Sequence, residues 1–333
     1  MLDGVVLPDR RCAVPSLDLL TVGEAMLRLS VPAGDLLIDS PTLDVQVAGA
    51  ENNVAVAVAQ MGFQARWWSR LTDNVMGRRI AQTIAHYGVD CSEIEWTADD
   101  RVGTYYLEFG ALPRPTRVIY DRTHSAASKM SPQTFPLEHI AQARLVHLTG
   151  ITAALSESCY ALLEAMLDRC AQAAIPVVFD VNFRALLWSA DRCRARLLPL
   201  LGRVDTLIVG KQDAATVFAI DGDPLQVLRG LRDLIPVPRL ALTLGDQGAI
   251  GLENDRLYPV EGYTVQVVDR IGAGDAFAAG VVCGLLRGDF PLGLRYGVAI
   301  SALQLTLNGD LFRLSASDVT ALLERGVMTR PIR

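Results

Sequence analysis

A glycine-rich segment late in the chain carries a carboxylate at the point where a predicted helix begins. The segment, Asp269–Gly280, reads DRIGAGDAFAAG. Gly272 and Gly274 permit backbone turns that residues with a Cβ rarely adopt, so their amides and that of Ala273 can converge on an anion. The alanine-rich run from Ala276 predicts a helix whose N-terminal end adds to this attraction. Such a layout is typical of a phosphoryl-transfer site.

Asp275 lies where this turn becomes the helix. Its carboxylate could accept the proton of an attacking hydroxyl group, while the amides of residues 272–275 stabilise the charge on a migrating phosphoryl group. The alternative is that Asp275 only caps the helix and that the two glycines only form a tight loop. A short Gly-x-Gly-Asp motif alone favours this alternative, because such motifs often occur by chance.

The longer pattern resembles the C-terminal signature of the PfkB, or ribokinase-like, sugar kinases. It consists of Asp-x-x-Gly-Ala-Gly-Asp followed by Ala-Phe-x-x-Gly. Ala48–Ala55 (AGAENNVA) and Thr243–Gly248 (TLGDQG) also resemble family segments, so the resemblance covers residues 19–323. It implies that Asp275 is the catalytic base and that ATP and Mg²⁺ take part. It also implies a ribokinase-like fold, with a small β-sheet lid on an α/β domain.

The composition is consistent with an enzyme that acts on small molecules. The chain has 333 residues, half of them apolar, which is enough for one large α/β domain and a small appendage. A net charge of −6 argues against a nucleic acid or a membrane surface as partner. The two lysines, Lys129 and Lys211, do not have P-loop spacing, so backbone amides, arginine and magnesium must perform the role of the P-loop lysine.

Cysteine spacing and the termini predict a cytoplasmic protein. The six cysteines form no Cys-x-x-Cys pair and lie beside no histidine cluster, which argues against disulfides and zinc and favours buried thiols. Residues 1–15 contain an apolar run too short for a signal peptide, and no later run is long enough to span a bilayer. We therefore expect residues 1–15 to be a disordered leader.

Strand-like runs that end in Gly or Asp alternate with helical segments, which predicts a mostly parallel central sheet with helices on both faces. The predicted strands are Leu19–Gly23, Leu145–Gly150, Pro176–Asp180, Thr206–Gly210 and Leu240–Gly245. Asn53–Ala59 alternates Val with Ala as a strand would. We predict a helix there because Ala predominates, Asn52 or Asn53 can cap it, and Gly62 can end it.

Two stretches, 33–49 and 101–122, interrupt this alternation and are rich in β-forming residues. Within the second, Thr104–Phe109 and Arg117–Tyr120 are typical of a hairpin. The resemblance implies that the two stretches form a discontinuous lid that closes over the sugar and often serves as a dimer contact, so we expect a homo-oligomer. The remaining α/β domain would comprise residues 16–32, 50–100 and 123–325.

Gly49 and Asn53 are candidate ligands of sugar hydroxyl groups. They lie at the start of the first predicted helix, where backbone and amide groups can form hydrogen bonds. Asn53 could instead be only a helix cap. The family resemblance favours the substrate role for both residues.

A second group of residues resembles the 2-keto-3-deoxygluconate kinases within the same family. Tyr105 and the segment Tyr120-Asp121-Arg122 match a tyrosine and a Tyr-x-Arg stretch of their lid. Arg122 suits a substrate that bears a carboxylate, although an exposed lid arginine can also be only a solvated charge. Asp310 matches a late Arg-Gly-Asp and could form a hydrogen bond with the substrate, but Asn308 replaces the arginine here.

The run from Asp180 to Arg184, DVNFR, ends a predicted strand at the edge where open α/β sheets bind ligands. In the resembling kinases this run, followed by a tryptophan such as Trp188, lies between substrate and nucleotide. Asn182 is therefore a candidate contact of ATP, and Arg184 of a phosphate or of the substrate carboxylate. The alternative for Arg184 is an ordinary surface ion pair.

The resemblance also identifies Thr243, Gly245 and Gly248 as lining of the ATP cleft, although the segment could equally be a hairpin between two strands. The metal site departs from the family. Gly210 stands where many ribokinase-like enzymes have the Asn of Asn-x-x-Glu, and Asp213 replaces the Glu. Because Mg²⁺ keeps most of its waters, we expect Asp213 to reach the ion through water.

Together these features predict an ATP-dependent kinase that phosphorylates a primary hydroxyl of a sugar acid, 2-keto-3-deoxygluconate in the first place. A kinase for a neutral sugar, of the fructokinase or ribokinase type, is the alternative, because lid residues change specificity on a common fold. A sugar-binding protein without activity is a further alternative. A dehydrogenase is disfavoured because Glu24–Leu27, and not Gly-x-Gly-x-x-Gly, follows the first strand.

Overall fold

The computed structural model describes residues 17–325, so the predicted leader of residues 1–15 lies outside it. The described chain forms a large sheet between two layers of helices, together with a smaller sheet. This is the α/β architecture that the alternation of strands and helices predicts. None of the helices in the described range combines the length and apolar character that a membrane span needs.

The elements within residues 17–325 have the following bounds. The strands are β1 (Leu17–Val22), β2 (Met26–Ser30), β3 (Asp44–Ala48), β4 (Ala65–Trp68), β5 (Arg70–Thr72), β6 (Glu95–Thr97), β7 (Gly103–Glu108), β8 (Arg117–Asp121), β9 (Ala143–Thr149), β10 (Val177–Asp180), β11 (Thr206–Gly210), β12 (Arg239–Thr243), β13 (Gly248–Glu253) and β14 (Arg256–Glu261). The α-helices are α1 (Ala50–Gln60), α2 (Val75–His86), α3 (Gly150–Leu155), α4 (Glu157–Ala173), α5 (Ala190–Leu201), α6 (Lys211–Phe218), α7 (Pro224–Leu234), α8 (Ala273–Leu286), α9 (Phe290–Gln304) and α10 (Ala316–Arg325).

The large sheet has the order β14-β13-β12-β11-β10-β9-β1-β4. Its strands from β12 to β4 are parallel, and β13 and β14 add an antiparallel edge. The five predicted strands correspond to β1, β9, β10, β11 and β12. Because these strands are parallel, their carboxyl ends meet at one edge of the sheet, which is where ligands bind in open α/β folds.

The core lies on both faces of this sheet, because successive side chains of a strand point in opposite directions. Leu20 packs into the core beneath α4 to α7, whereas its neighbour Leu19 packs into the core beneath α1, α2, α8 and α9. Four of the six cysteines are buried, as predicted, whereas Cys91 is half-buried and Cys12 lies outside the described residues. The buried cysteines are Cys159, Cys170, Cys193 and Cys283.

Helix α1 forms where a helix was predicted, and Gly62 follows its end with a φ of +89°. The N-cap, however, is Gly49, and neither Asn52 nor Asn53 caps the helix. A Cβ at position 49 would lie 2.2 Å from the carbonyl oxygen of Glu24, so the chain can start the helix this close to β1 only with glycine. The strand-like alternation of Val and Ala arises because α1 is buried on most sides, between the large sheet and α8.

The small sheet has the order β3-β2-β7-β8, and β7 and β8 form the predicted hairpin. The small sheet contains one strand that was not predicted as part of the lid. The prediction assigned β2 to the α/β domain, but β2 pairs with β3 and β7. Only the short segment 23–25 separates β1 from β2. The change from one sheet to the other depends on the pairing of β2 with β3 and β7, which follow later in the chain.

A buried arginine of β2 fastens the small sheet to the glycine-rich segment. The Arg28 side chain is fully buried, and its Nη2 and Nη1 donate to Asp269 (2.6 Å) and Asp310 (2.7 Å). Asp269 also accepts hydrogen bonds from the backbone amides of Ile271 (3.1 Å) and Gly309 (3.2 Å). One guanidinium group therefore holds together the small sheet, the start of the glycine-rich segment and the loop before α10.

We expect Arg28→Met to lower the free energy of unfolding by about 3–5 kcal/mol, because Asp269 and Asp310 would keep buried carboxylates without their shared cation. Urea denaturation measures this loss. The triple variant with Asp269→Asn and Asp310→Asn should recover part of it, since it removes the buried charges as well.

The matched control is Arg192→Met, which breaks an exposed ion pair with Glu157 and should leave the urea midpoint nearly unchanged. An Arg28→Met variant that unfolds at the wild-type midpoint would contradict the structural role of Arg28.

Candidate active site

A cavity of about 420 Å³ lies where the carboxyl ends of β10, β11 and β12 meet the small sheet and the glycine-rich turn. Most of the residues predicted to bind or transform a ligand line it. They are Gly49, Asn53, Tyr105, Tyr120, Arg122, Asn182, Arg184, Asp213, Thr243, Gly272, Gly274, Asp275 and Asp310. We call this space the first cavity.

A second cavity of about 660 Å³ adjoins the first on the other side of the glycine-rich turn. It is lined by the other predicted residues, Ala273, Gly245 and Gly248. The Thr243–Gly248 segment is at once a turn between the antiparallel strands β12 and β13 and a wall of this cavity. Thr243, Arg270 and Gly274 line both cavities, so two ligands could meet at the turn.

The glycine-rich turn before α8 needs its two glycines for different structural reasons. Gly272 is the N-cap of α8 with a φ of +84°, and a Cβ there would lie 2.6 Å from the carbonyl oxygen of Asp310. A Cβ on Gly274 would meet nothing within 4 Å, so a ligand can approach the backbone there. The amides of Ala273, Gly274 and Asp275 belong to the first turn of α8 and lack an acceptor within the helix, which makes them available to an anion.

Asp275 is a buried residue of the first turn of α8 and does not cap the helix. Its Oδ2 accepts from Asn53 Nδ2 (2.7 Å) and its Oδ1 from Asn182 Nδ2 (3.3 Å). Burial raises the pKa of Asp275 above its ordinary value, and the bonds from both amides and the charge of Arg184 partly offset this rise. The carboxylate is therefore fixed in orientation and made more basic at the wall of the first cavity.

Asn182 is held against Asp275 by Asp180. Asn182 has a φ of +41°, and its backbone amide and Nδ2 donate to the two carboxylate oxygens of Asp180, at 3.1 and 3.2 Å. Burial, followed by the charges of Asp275 and Asp213, raises the pKa of Asp180 to about 8. Sequence analysis assigned Asp180 no role, although its spacing of two before Asn182 is typical of an Asx turn.

Arg122 lies in the first cavity, but it is neither solvated nor free. It is buried, its Nε donates to Glu24 Oε2 at 2.8 Å, and its Nη2 contacts the same oxygen. Glu24 also accepts a hydrogen bond from Ser125. Sequence analysis missed Glu24 as a site residue; its position at the carboxyl end of β1 was the available signal.

Asp310 was predicted to form a hydrogen bond with the substrate, but its carboxylate already accepts hydrogen bonds from other side chains. Asp310 accepts from Arg28 and from the hydroxyl group of Tyr105 (3.0 Å). Burial raises the pKa of Asp310 to about 6, and Arg28 and Tyr105 act in the opposite direction. Tyr120 packs against Tyr105, with ring centroids 5.6 Å apart, so the two rings form one wall of the cavity.

Arg184 is exposed at the mouth of the first cavity, and its Nη1 donates to the Phe183 carbonyl at 3.1 Å. No carboxylate of residues 17–325 lies within ion-pair distance of it, so the alternative of a surface ion pair is not borne out there. Its charge nevertheless acts to lower the pKa values of Asp180, Asp213 and Asp275. Arg184 thus offers an unpaired cation to an anionic ligand.

Asp213 is half-buried beside Arg184 and accepts from the Phe183 amide at 3.3 Å, and burial raises its pKa. Among the described residues no three His, Cys, Asp or Glu side chains form a group that could hold a metal ion. Asp213, which accepts no side-chain hydrogen bond in the described residues and faces an open cavity, fits an Mg²⁺ ion that keeps most of its waters. A Cβ on Gly210 would meet only ordinary contacts, at 3.6 Å or more, so packing does not impose glycine there.

Glu51 is a further buried carboxylate that sequence analysis did not assign. It accepts from Thr149 Oγ1 and Thr152 Oγ1, both at 2.6 Å, and burial raises its pKa to about 7. The signal was an acidic residue in the first turn of a helix that carries no other charged residue. Its bonds join α1 to the end of β9 and to α3, behind Asn53.

The comparisons with known proteins identify the family. Residues 16–315 match the profile described as pfkB family carbohydrate kinase. The chain belongs to this family of kinases. The resemblance of the glycine-rich segment and the predicted ribokinase-like fold are thereby confirmed.

Similar proteins span nearly the whole chain. A 2-dehydro-3-deoxygalactonokinase of Haloferax volcanii is 34% identical over 93% of this chain and 97% of its own length. A 2-dehydro-3-deoxygluconokinase of Bacillus subtilis is 30% identical over 89% and 91%, respectively. The crystal structure of a 2-dehydro-3-deoxygluconokinase of Thermotoga maritima superposes with a TM-score of 0.88 at 31% identity, covering 92% of this chain and 98% of that one.

We expect Asn53→Ala to shift the acidic limb of the pH–kcat/KM profile to higher pH. Asn53 donates the hydrogen bond that most opposes the effect of burial, so its loss raises the pKa of Asp275 further. A base works deprotonated, so activity is lost as pH falls through its pKa, and a higher pKa moves this loss to higher pH.

Asn308→Ala is the control, because Asn308 is exposed and its side chain makes no contact with Asp275. An acidic limb that stays at the wild-type pH in Asn53→Ala would contradict the assignment of this limb to Asp275.

Proposed function

We propose that this chain transfers the γ-phosphoryl group of ATP, bound with Mg²⁺, to a primary hydroxyl group of a 2-keto-3-deoxy sugar acid, 2-keto-3-deoxygluconate in the first place. The observation that carries the proposal is the position of Asp275. Its buried, oriented carboxylate lies at a turn of unpaired amides between two adjoining cavities. An acceptor and a donor of a phosphoryl group need such an arrangement.

The second cavity suits the nucleotide. Apolar side chains, among them Phe277, Val298 and Leu305, line it and can pack against a planar base. The turn at Ala273 and Gly274 also lines it, and free amides there can bind the phosphates. The magnesium ion would supply charge neutralisation between the phosphates, with Asp213 reached through water.

The acceptor hydroxyl group belongs in the first cavity, beside Asp275. As the hydroxyl oxygen attacks phosphorus, the carboxylate takes its proton, while the amides of Gly272 to Asp275 stabilise the charge on the phosphoryl oxygens. Gly49 and Asn53 would bind other hydroxyl groups of the sugar. Closure of the small sheet over this cavity would exclude water and limit hydrolysis of ATP.

Arg122 and Arg184 support a carboxylate on the substrate. Nε and Nη2 of Arg122 both contact Glu24, so the N–H groups of Nη1 remain available to a ligand in the cavity. Arg184 adds a second, unpaired cation. A planar guanidinium held from one side is well oriented for a carboxylate on the other.

One observation favours the neutral-sugar kinase as a second candidate. Because Glu24 already balances the charge of Arg122, this part of the first cavity has no excess positive charge. In a neutral-sugar kinase, the N–H groups of Arg122 would bind hydroxyl groups instead of a carboxylate.

The test is coupled release of ADP with ATP and Mg²⁺ on five sugars: 2-keto-3-deoxygluconate, 2-keto-3-deoxygalactonate, gluconate, fructose and ribose. We expect a preference for the keto-deoxy acids. Arg122→Ala should raise the KM of the preferred acid by about 10- to 100-fold, since it removes a charged hydrogen bond, and should change the KM of any neutral sugar far less.

Arg101→Ala is the matched control, because Arg101 pairs with Asp121 beside the small sheet and lines neither cavity. An equal rise in KM for acidic and neutral sugars would contradict a contact between Arg122 and the carboxylate. A preference for fructose or ribose would favour the second candidate, and no turnover on any sugar would contradict both.

A further inference from the structure

Arg270 is an exposed arginine at the junction of the two cavities. It is one of three residues, with Thr243 and Gly274, that line both. Its side chain makes no hydrogen bond or ion pair with the described part of the chain. Arg28 and Arg122, which also lie near the site, are both bound by carboxylates.

The backbone on both sides of Arg270 is fixed. Asp269 is held by Arg28, and the amides of Val268 and Asp269 donate to the Leu305 carbonyl at 2.8 and 3.3 Å. The Ile271 amide donates to Asp269 at 3.1 Å. The unpaired side chain of Arg270 therefore starts from a hydrogen-bonded backbone, directly before the turn that bears the predicted base, and is within reach of both cavities.

Most of the charged side chains that line the first cavity already have a partner. Carboxylates outnumber arginines in its lining, which contains Glu24, Asp180, Asp213, Asp275 and Asp310 against Arg122, Arg184 and Arg270. Arg122 is already paired with Glu24. Asp310 is likewise paired with Arg28. Arg184 and Arg270 are therefore the arginines of this lining that no carboxylate of residues 17–325 pairs, and they are available to a triphosphate together with any divalent ion.

We propose that Arg270 is a catalytic residue that binds the migrating phosphoryl group and stabilises its charge during transfer. This inference rests on the proposed phosphoryl transfer. The bond between the γ-phosphorus and the diphosphate breaks, the bond from phosphorus to the acceptor oxygen forms, and the hydroxyl proton goes to Asp275. Arg270 stays protonated and donates N–H groups to the non-bridging oxygens of the moving group.

The test compares equilibrium binding of ATP and ADP, each with Mg²⁺, in the wild type and in Arg270→Gln, by titration calorimetry. A contact with the γ-phosphoryl group exists only with ATP. We therefore expect Arg270→Gln to weaken ATP binding about tenfold and to leave ADP binding within about threefold of wild type. The kcat/KM for ATP should fall about 10²- to 10³-fold, because the contact stabilises transition-state charge.

Two variants make the test specific. Arg270→Lys keeps the charge but loses the planar fork, so it should recover most of the ATP binding and only part of kcat/KM. Arg229→Gln removes an exposed arginine on α7 that lines neither cavity and should change no value.

Equal weakening of ATP and ADP would assign Arg270 to the diphosphate and overturn the proposal, as would unchanged binding of both. A wild type that turns over none of the sugars would contradict the proposed function by itself. In that case the difference between ATP and ADP binding still decides whether Arg270 contacts the terminal phosphoryl group.

Discussion

The structure depends on a buried guanidinium group shared by two carboxylates. Arg28 of β2 binds Asp269, at the start of the glycine-rich segment, and Asp310, in the loop before α10. A charge without a partner at such a depth would cost several kcal/mol, so the three segments have to come together. One end of the small sheet and the start of the glycine-rich segment are thereby held together.

Two kinds of arginine lie around this ion-pair cluster. Arg28 and Arg122 are paired with carboxylates and orient what surrounds them, whereas Arg184 and Arg270 have no carboxylate partner among the described residues and can meet an anionic ligand. Asp275 is both held in place and reactive. Side-chain amides from α1 and from the residues after β10 fix its orientation, and burial raises its pKa. The two cavities share lining residues directly beside that carboxylate.

Local patterns in the sequence predicted much of this molecule, and long-range contacts account for the rest. The glycine-rich segment indicated the family, and the strand end at Asp180 indicated the ligand edge, because parallel strands bring their carboxyl ends together. Arg28 could not be recognised, since its partners lie 241 and 282 residues away. Arg122 was predicted to bind a substrate carboxylate, but its pairing with Glu24 could not be recognised for the same reason, because Glu24 is 98 residues distant.

The most direct test of the central claim is turnover and ATP binding by Asp275→Asn with the preferred sugar. This substitution keeps the size of the side chain and removes its ability to take a proton. We predict ATP binding close to wild type and a kcat about 10²- to 10⁴-fold lower, the contribution typical of a positioned base. A kcat within about tenfold of wild type would contradict the role of Asp275 as the base.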